Sequence, residues 1–538
     1  MQNFNKEYTH FGVMLDCSRN AVMKVSEVKR FIDCLQKMGY NTLQLYTEDT
    51  YEIKGEPYFG YLRGRYTGAE IKEIDAYALS RGVELIPCVQ TLAHFTNLVR
   101  HGLAYGDIVD VHDILLVDEP KTYELIDKIF ATLAENFTSR LVNIGMDEAH
   151  MVGLGKYLQK HGYQNRFDIL LRHLQKVVAI AKKYGFTPHM WSDMFFRLAT
   201  GGNYYINEPM DFPEGVVEGV PEEIELAYWD YYNTDKKIYD LMFDMHAKFN
   251  RKLWFAGGAW SWNGFAPINS FSLQTMKPAM ESVIEHGVKD VFITMWGDDG
   301  AECSVYGLLP SLYAIRQYAD GNFDEKNIQK GFYELFKMKY EDFMLLDLPN
   351  RFSYETPKGN VPCICKSFLY MDPFLGWLDQ SISEQRAIPY GQYADDLKKA
   401  AKRVGEYGYI FESLSALCSV LEIKTELGIK TRRAYQSNDK KTLAALVKEY
   451  VKAEKRVEAF HTAFYALWDE ENKPQGWEVQ DARIGGVARR LHTCAERLKA
   501  YLSGKIERLE ELEEEIVSYG GSKGVNSYLA LVSMNKLG

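Results

Sequence analysis

The stretch 141–148, Leu-Val-Asn-Ile-Gly-Met-Asp-Glu, is a short apolar run that ends in two adjacent acids, Asp147 and Glu148. The run reads as a buried strand delivering carboxylates at its C-terminal end, which in a parallel α/β protein is where ligands bind. Adjacent acids repel each other, so a strand terminus has little reason to turn both inward unless its site uses them. One proton donor beside one anion is what cleavage of a glycosidic bond requires. Neighbours in an extended chain point in different directions, so the pair is not expected to face each other across a sugar. One acid would reach the leaving oxygen while the other contacts a substituent beside the reacting carbon.

Other apolar runs close in the same way. Asp16 and Arg19 follow the run 11–15, Glu48 and Asp49 follow 42–46, and His94 follows 83–89. Trp191 and Asp193 end the run 187–191. Tyr228, Trp229, Asp230 and Tyr231 close 224–231, and Trp260 and Trp262 follow 252–259. Trp296, Asp298, Asp299 and Glu302 follow 290–296. Trp at strand ends suits a sugar, because pyranose rings present apolar C–H faces that stack on indoles.

These residues converge only if the elements beneath them close a ring. With 141–145 the apolar runs number eight. Helical periodicity fills most gaps, at 26–38, 68–81, 119–136, 166–184, 236–249, 272–286 and 304–318. Gly39, Gly82, Gly185 and Gly287 stand where helices stop, a position whose left-handed backbone glycine accepts. This alternation predicts an α/β fold, a (β/α)8 TIM barrel over 1–325, with a doubly wound open sheet as the competing architecture. The segment 193–221, rich in Gly, Pro and Asn, predicts an irregular fifth connection. From about residue 326 the rhythm predicts a mainly helical C-terminal domain, 326–538, with long helices over 392–427, 439–467 and 481–517. The acidic run 510–515 reads as a solvated helix face, and the Pro/Gly segment 356–362 as a linker.

The chain has 538 residues, 63 basic and 74 acidic, a net charge of −11 that disfavours nucleic-acid binding. No apolar run approaches the roughly 18 residues that span a bilayer, and residues 1–8 carry no apolar signal region, so a cytoplasmic location without a membrane partner is expected. The eight cysteines form no CxxC pair, and no phosphate-binding glycine loop is present.

Taken together, these residues resemble glycoside hydrolase family 20, the β-N-acetylhexosaminidases. The family's strand-four motif, His-x-Gly-Gly-Asp-Glu, is similar to Asn143-Ile-Gly-Met-Asp147-Glu148, with Asn143 in place of His and Met146 in place of the second Gly. Arg19 matches its sugar-binding arginine, His94 its strand-three histidine, Tyr228-Trp-Asp230 its Tyr-x-Asp, and Trp296-Gly-Asp298 its Trp-x-acid. The small α/β domain that many members carry ahead of the barrel is missing from this sequence, as in the short bacterial-type branch.

The resemblance implies exo-acting hydrolysis of terminal β-linked GlcNAc or GalNAc with retention, the substrate's own acetamido oxygen acting as nucleophile. Glu148 would be the general acid and then base, its pKa raised by burial and by Asp147. Asp147 would orient the acetamide. Tyr228 would donate to the acetamido oxygen, with Tyr231 as its competitor. Trp191, Trp260, Trp262 and Trp296 would wall the pocket, and Arg19, His94, Asp230 and Asp298 would hold the sugar. No metal or organic cofactor is implied, and a homodimer is compatible with this reading. Two alternatives stand beside it: a retaining glycosidase whose nucleophile is Asp298 or Glu302, and a sugar-binding protein without turnover.

Overall fold

The computed structural model describes residues 8–359, 363–380, 387–517 and 532–533. Eight parallel strands close a barrel: β1 (His10–Asp16), β2 (Thr42–Tyr46), β3 (Glu84–Cys88), β4 (Leu141–Asn143), β5 (Thr187–Trp191), β6 (Glu225–Trp229), β7 (Leu253–Gly258) and β8 (Asp290–Met295). Each strand pairs with its sequence neighbours, and β8 returns to β1 with Phe11 opposite Val291. The strands are apolar almost throughout because helices cover their outer face and packed side chains fill the inner one; every residue of β2 and β8 is buried. The outer ring is built by α1 (Val25–Lys37), α2 (Gly68–Ser80), α3 (Pro120–Asn136), α4 (Arg166–Lys183), α5 (Asp193–Thr200), α6 (Lys236–Ala247), α7 (Asn269–Glu285) and α8 (Leu309–Ala319).

The predicted barrel is the observed one, with shorter strands. The run 141–145 keeps only Leu141–Asn143 as strand, because the backbone then turns left-handed. The connection after β5 is less irregular than its composition suggested: α5 spans its first two turns, burying Met194, Phe195 and Phe196 and closing on left-handed Gly201. A small antiparallel hairpin, Val109–Val111 with Ile114–Leu115, sits in the long connection after β3, where no strand was expected.

The C-terminal part packs α9 (Tyr390–Ala401), α10 (Gly408–Gln436), α11 (Lys440–Glu471) and α12 (Trp477–Leu502) in sequence order. The expected helix 392–427 divides at a 3-10 turn, Gly405–Tyr407. The expected helix 481–517 stops at Leu502, so the acidic run 510–515 is not a helix face. It forms a short 3-10 turn, and Arg432 donates to the backbone carbonyls of Glu511, Leu512 and Glu514. The linker 356–362 is described only to residue 359. Among the described residues no helix is long and apolar enough to cross a membrane.

Candidate active site

The site begins with the backbone after β4. Gly145, Met146 and Glu148 all have positive φ, at 72°, 72° and 51°. Asn143 starts this turn, its Oδ1 accepting from the Gly145 N–H at 3.0 Å. Gln90, beyond β3, holds it: its Oε1 accepts from the Met146 N–H at 3.2 Å, and its Nε2 donates to Asp147 Oδ1 at 2.9 Å. A Cβ on Gly145 would stand 2.1 Å from Gln90 Oε1, so glycine is required there for space as well as conformation. Met146 takes up the left-handed backbone that a glycine would adopt without strain, and its buried side chain supplies packing in return. The chain here is not extended, which corrects the premise from which the acids' separate directions were expected. His94 Nε2 lies 3.0 Å from Asp147 Oδ2 and 4.0 Å from Glu148 Oε2, so one imidazole serves both.

The two acids have different surroundings. Burial pushes Asp147 up, but the His94 charge and the hydrogen bonds from His94 and Gln90 outweigh it, and the carboxyl lies below the usual carboxylate range. Burial works against a charge on His94, yet Asp147 and Glu48 raise the imidazole to about 10, against the Arg19 guanidinium 3.4 Å from Nδ1. Glu148 is more open than expected, its side chain 42% exposed, with Arg197 Nη2 3.4 Å from Oε1. Its backbone N–H donates to Asp193 Oδ2 at 3.1 Å, and Arg197 Nε donates to the same oxygen at 2.9 Å. Burial, then the charges of Asp147 and Glu148, push buried Asp193 up to about 7 despite Arg197.

On the opposite side Arg19 Nε pairs with Glu48 Oε1 at 3.1 Å. Glu48 is buried and accepts from the Tyr46 hydroxyl at 3.1 Å; burial raises it to about 7 against the pull of Arg19 and His94. Asp16 fixes the neighbouring strand end by accepting from the Gly297 N–H at 2.9 Å.

All of this surrounds one pocket of about 540 Å³, its open mouth included. Arg19, His94, Asp147, Glu148 and Asp298 give it a polar side, and Trp191, Tyr231, Trp262 and Trp296 an aromatic one. Three expected residues lie behind the wall. Tyr228 is fully buried against Phe243, His246 and Phe255, its hydroxyl donating to Asp230 Oδ2 at 2.8 Å. Asp230 is spent on the β6 turn, accepting also from the Tyr232 and Asn233 backbone N–H groups and from Asn233 Nδ2. Trp260 backs Trp262 at a ring distance of 4.3 Å and donates to the Tyr231 carbonyl. Of the two competing tyrosines, Tyr231 is the one in the pocket. Its oxygen accepts from Trp296 Nε1 at 3.0 Å, and no described residue accepts its own proton.

Glu302 also stands away from the pocket, buried between Lys366 at 2.7 Å and Arg483 at 3.3 Å. The side chain of Asp299 lies outside the described residues. Sequence reading missed Trp229 and Tyr232 as lining residues, and Gln90 and Arg197 as partners of the acids. For Trp229 a signal existed: on a strand it shares the face of Tyr231, not that of Tyr228. Among the described residues no group of three or more His, Cys, Asp or Glu is arranged to hold a metal ion.

Comparison with known proteins gives two family matches: the glycosyl hydrolase family 20 catalytic domain over residues 8–233, and the glycoside hydrolase 20C C-terminal domain over 341–530. The first ends just beyond β6, so Trp262, Trp296 and Asp298 lie outside its span. Human hexosaminidase D is 25% identical over 224 residues, 40% of this chain and 43% of that protein. A beta-hexosaminidase of Vibrio furnissii is 28% identical over 177 residues, 26% of this chain and 29% of the relative. The match thus spans less than half the length of either relative. Among solved structures, a GH20 exo beta-N-acetylglucosaminidase of Vibrio harveyi in complex with N-acetylglucosamine aligns over 63% of this chain and 58% of its own, at 16% identity and a TM-score of 0.47.

Proposed function

We propose that this chain, which belongs to glycoside hydrolase family 20, removes terminal β-linked GlcNAc or GalNAc from the non-reducing end of its substrate with retention of configuration. Residues 1–325 form the catalytic barrel in this reading and 326–538 the helical part. The observation that carries it is the left-handed turn at 145–148, which gathers two acids of unlike surroundings into one aromatic pocket.

Asp147 is a pinned anion, with a donor already on each oxygen. That makes it a poor nucleophile, but a good acceptor for an amide N–H and a good neighbour for developing positive charge. Family 20 is an exception to the two-carboxylate scheme, its substrate supplying the nucleophile. The acetamido oxygen, oriented by Asp147 at the nitrogen and by the Tyr231 proton at the oxygen, attacks C1 as the glycosidic bond breaks. Glu148, at the water-facing lip, gives its proton to the departing oxygen. It then takes one from the water that opens the oxazolinium-like intermediate. Two displacements at C1 restore the original configuration. Arg19 and Asp298 hold hydroxyls that do not react, and Trp191, Trp262 and Trp296 pack against the ring.

The test is release of p-nitrophenol from the GlcNAc and GalNAc glycosides by the wild-type protein and by Glu148→Gln. An inactive wild type, or an unimpaired variant, defeats the reading. A thiazoline analogue of the intermediate is expected to inhibit strongly. Equal turnover of the 2-hydroxy glucoside would instead favour a protein nucleophile. Asp298 then remains as the candidate, since Glu302 is held by Lys366 and Arg483.

A further inference from the structure

The loops after β1 and β8 carry Arg19 and Asp298, the polar residues assigned above to the sugar's unreactive hydroxyls. Both loops are tied to the helical part of the chain. Met23 forms an antiparallel bridge with Asn472, where Lys473 N–H donates to the Val22 carbonyl at 2.8 Å and Lys24 N–H to that of Glu471 at 2.9 Å. Asn20, next to Arg19, donates to the Gly476 carbonyl at 2.9 Å.

The loop after β8 is held through side chains. Gln480 Nε2 lies 3.4 Å from the Gly300 carbonyl, and Glu302 is clamped by Lys366 and by Arg483 of α12. A Cβ on Gly300 would meet Arg483 Nη1 at 2.7 Å and Glu302 Oε1 at 3.1 Å, so backbone and helix are in direct contact there. Ala301 has a φ of 50°, a left-handed conformation that a residue with a Cβ keeps only where its surroundings impose it. A buried ion pair is weak evidence for stability, and its better-supported use is to fix one arrangement among several.

We propose that the helical part sets the recognition half of the pocket: Gln480 and Arg483 are positioning residues that act on Asp298 through Gly300 and Glu302. The C-terminal part is then more than a cover over the barrel flank. The assignment rests on the hexosaminidase reading for what the positioned residues recognise, but not for the positioning itself.

Two variants test it, Gln480→Met and Arg483→Met. The second leaves Glu302 its Lys366 partner, so the buried carboxylate keeps a counter-charge, and the first removes only a hydrogen bond. Both are expected to raise KM for the aryl GlcNAc glycoside at least fivefold with kcat within twofold, and to shift the GlcNAc-to-GalNAc ratio of kcat/KM at least threefold. Amide hydrogen exchange should quicken in peptides covering 297–303 while those covering 143–149 stay unchanged. Unchanged KM and exchange would overturn the proposal, as would exchange that quickens across the whole barrel, which marks a folding defect. A wild type that turns over neither glycoside defeats the hexosaminidase reading alone, and the exchange measurement still decides the positioning.

Discussion

Two single-atom deletions, Tyr231→Phe and Tyr228→Phe, separate a tyrosine that serves the reaction from one that serves the fold. In Tyr231 the oxygen is engaged by Trp296 Nε1 at 3.0 Å, which leaves the phenolic proton for a ligand. Removing it releases one end of the acetamido group, and displacement of a reacting group by about 1 Å costs on the order of 10²-fold. At about 1.36 kcal/mol per factor of ten, that is roughly 2.7 kcal/mol of activation free energy. Trp296 is only partly buried, so water can take over its N–H and the fold should lose little. Tyr228 is the reverse case. Its proton is committed to Asp230 at 2.8 Å in a fully buried setting. A hydrogen bond to a charged group contributes about 1.5–3 kcal/mol. Asp230 keeps its donors from Tyr232 and Asn233, which places the loss at the lower end, about 1.5 kcal/mol. The assay is kcat on saturating p-nitrophenyl GlcNAc beside the thermal midpoint of each variant. Tyr231→Phe should lose about a hundredfold in kcat with little change in midpoint, and Tyr228→Phe should keep kcat within about threefold while its midpoint falls. A larger kcat loss in Tyr228→Phe than in Tyr231→Phe would refute the assignment.

Glu148→Gln should lose about 10²–10⁴-fold on substrates with a sugar leaving group and less on p-nitrophenyl glycosides, because the phenolate departs with little protonation; parallel assays on the two classes check the difference. Gly145→Ala places a methyl 2.1 Å from Gln90 Oε1 and 2.9 Å from the Val89 carbonyl, on a backbone with φ of 72°. A destabilisation of about 2–3 kcal/mol and a drop of more than about tenfold in kcat are expected, read from the midpoint and from steady-state rates. His94 in the fold titrates at about 10, above its ordinary 6.5, so its contribution to stability is complete below about 6.5 and disappears as pH rises through about 10. The midpoint gap between wild type and His94→Gln should therefore be wide at pH 6 and narrow by about pH 10.5; a gap that widens with pH would contradict the pairing with Asp147.

The barrel was legible because a parallel strand buried on both faces reads as a continuous apolar run, and because glycines mark where its helices stop. The C-terminal limits were harder: amphipathic spacing continues through Gly405 and past Leu502, where only local turns interrupt it. At the site, residue types at strand ends picked out Arg19, His94, Asp147, Glu148, Trp191, Trp262 and Trp296, which line one pocket. Faces were less secure. The alternation of side chains on β6 puts Tyr228 on the side of α6, whose Phe243 and His246 it meets, and Trp229 on the other, where Tyr231 stacks on it just past the strand end. Arg197 was missed because its spacing of four from Asp193 has meaning only once α5 is a helix. The turn at 145–148 has no periodic signal at all, and Met146 conceals a backbone that a glycine would have announced.

That turn bears on how related sequences should be judged. Both acids could be retained in a descendant while a bulkier residue at position 145, or the loss of the Gln90 amide, let the strand run straight and swung one carboxylate out of reach. Such a protein would carry the full Asp-Glu signature and still be inert. Inspection of relatives for competence should therefore extend to the residues that bend the chain, whose replacement silences the pair without altering either member of it.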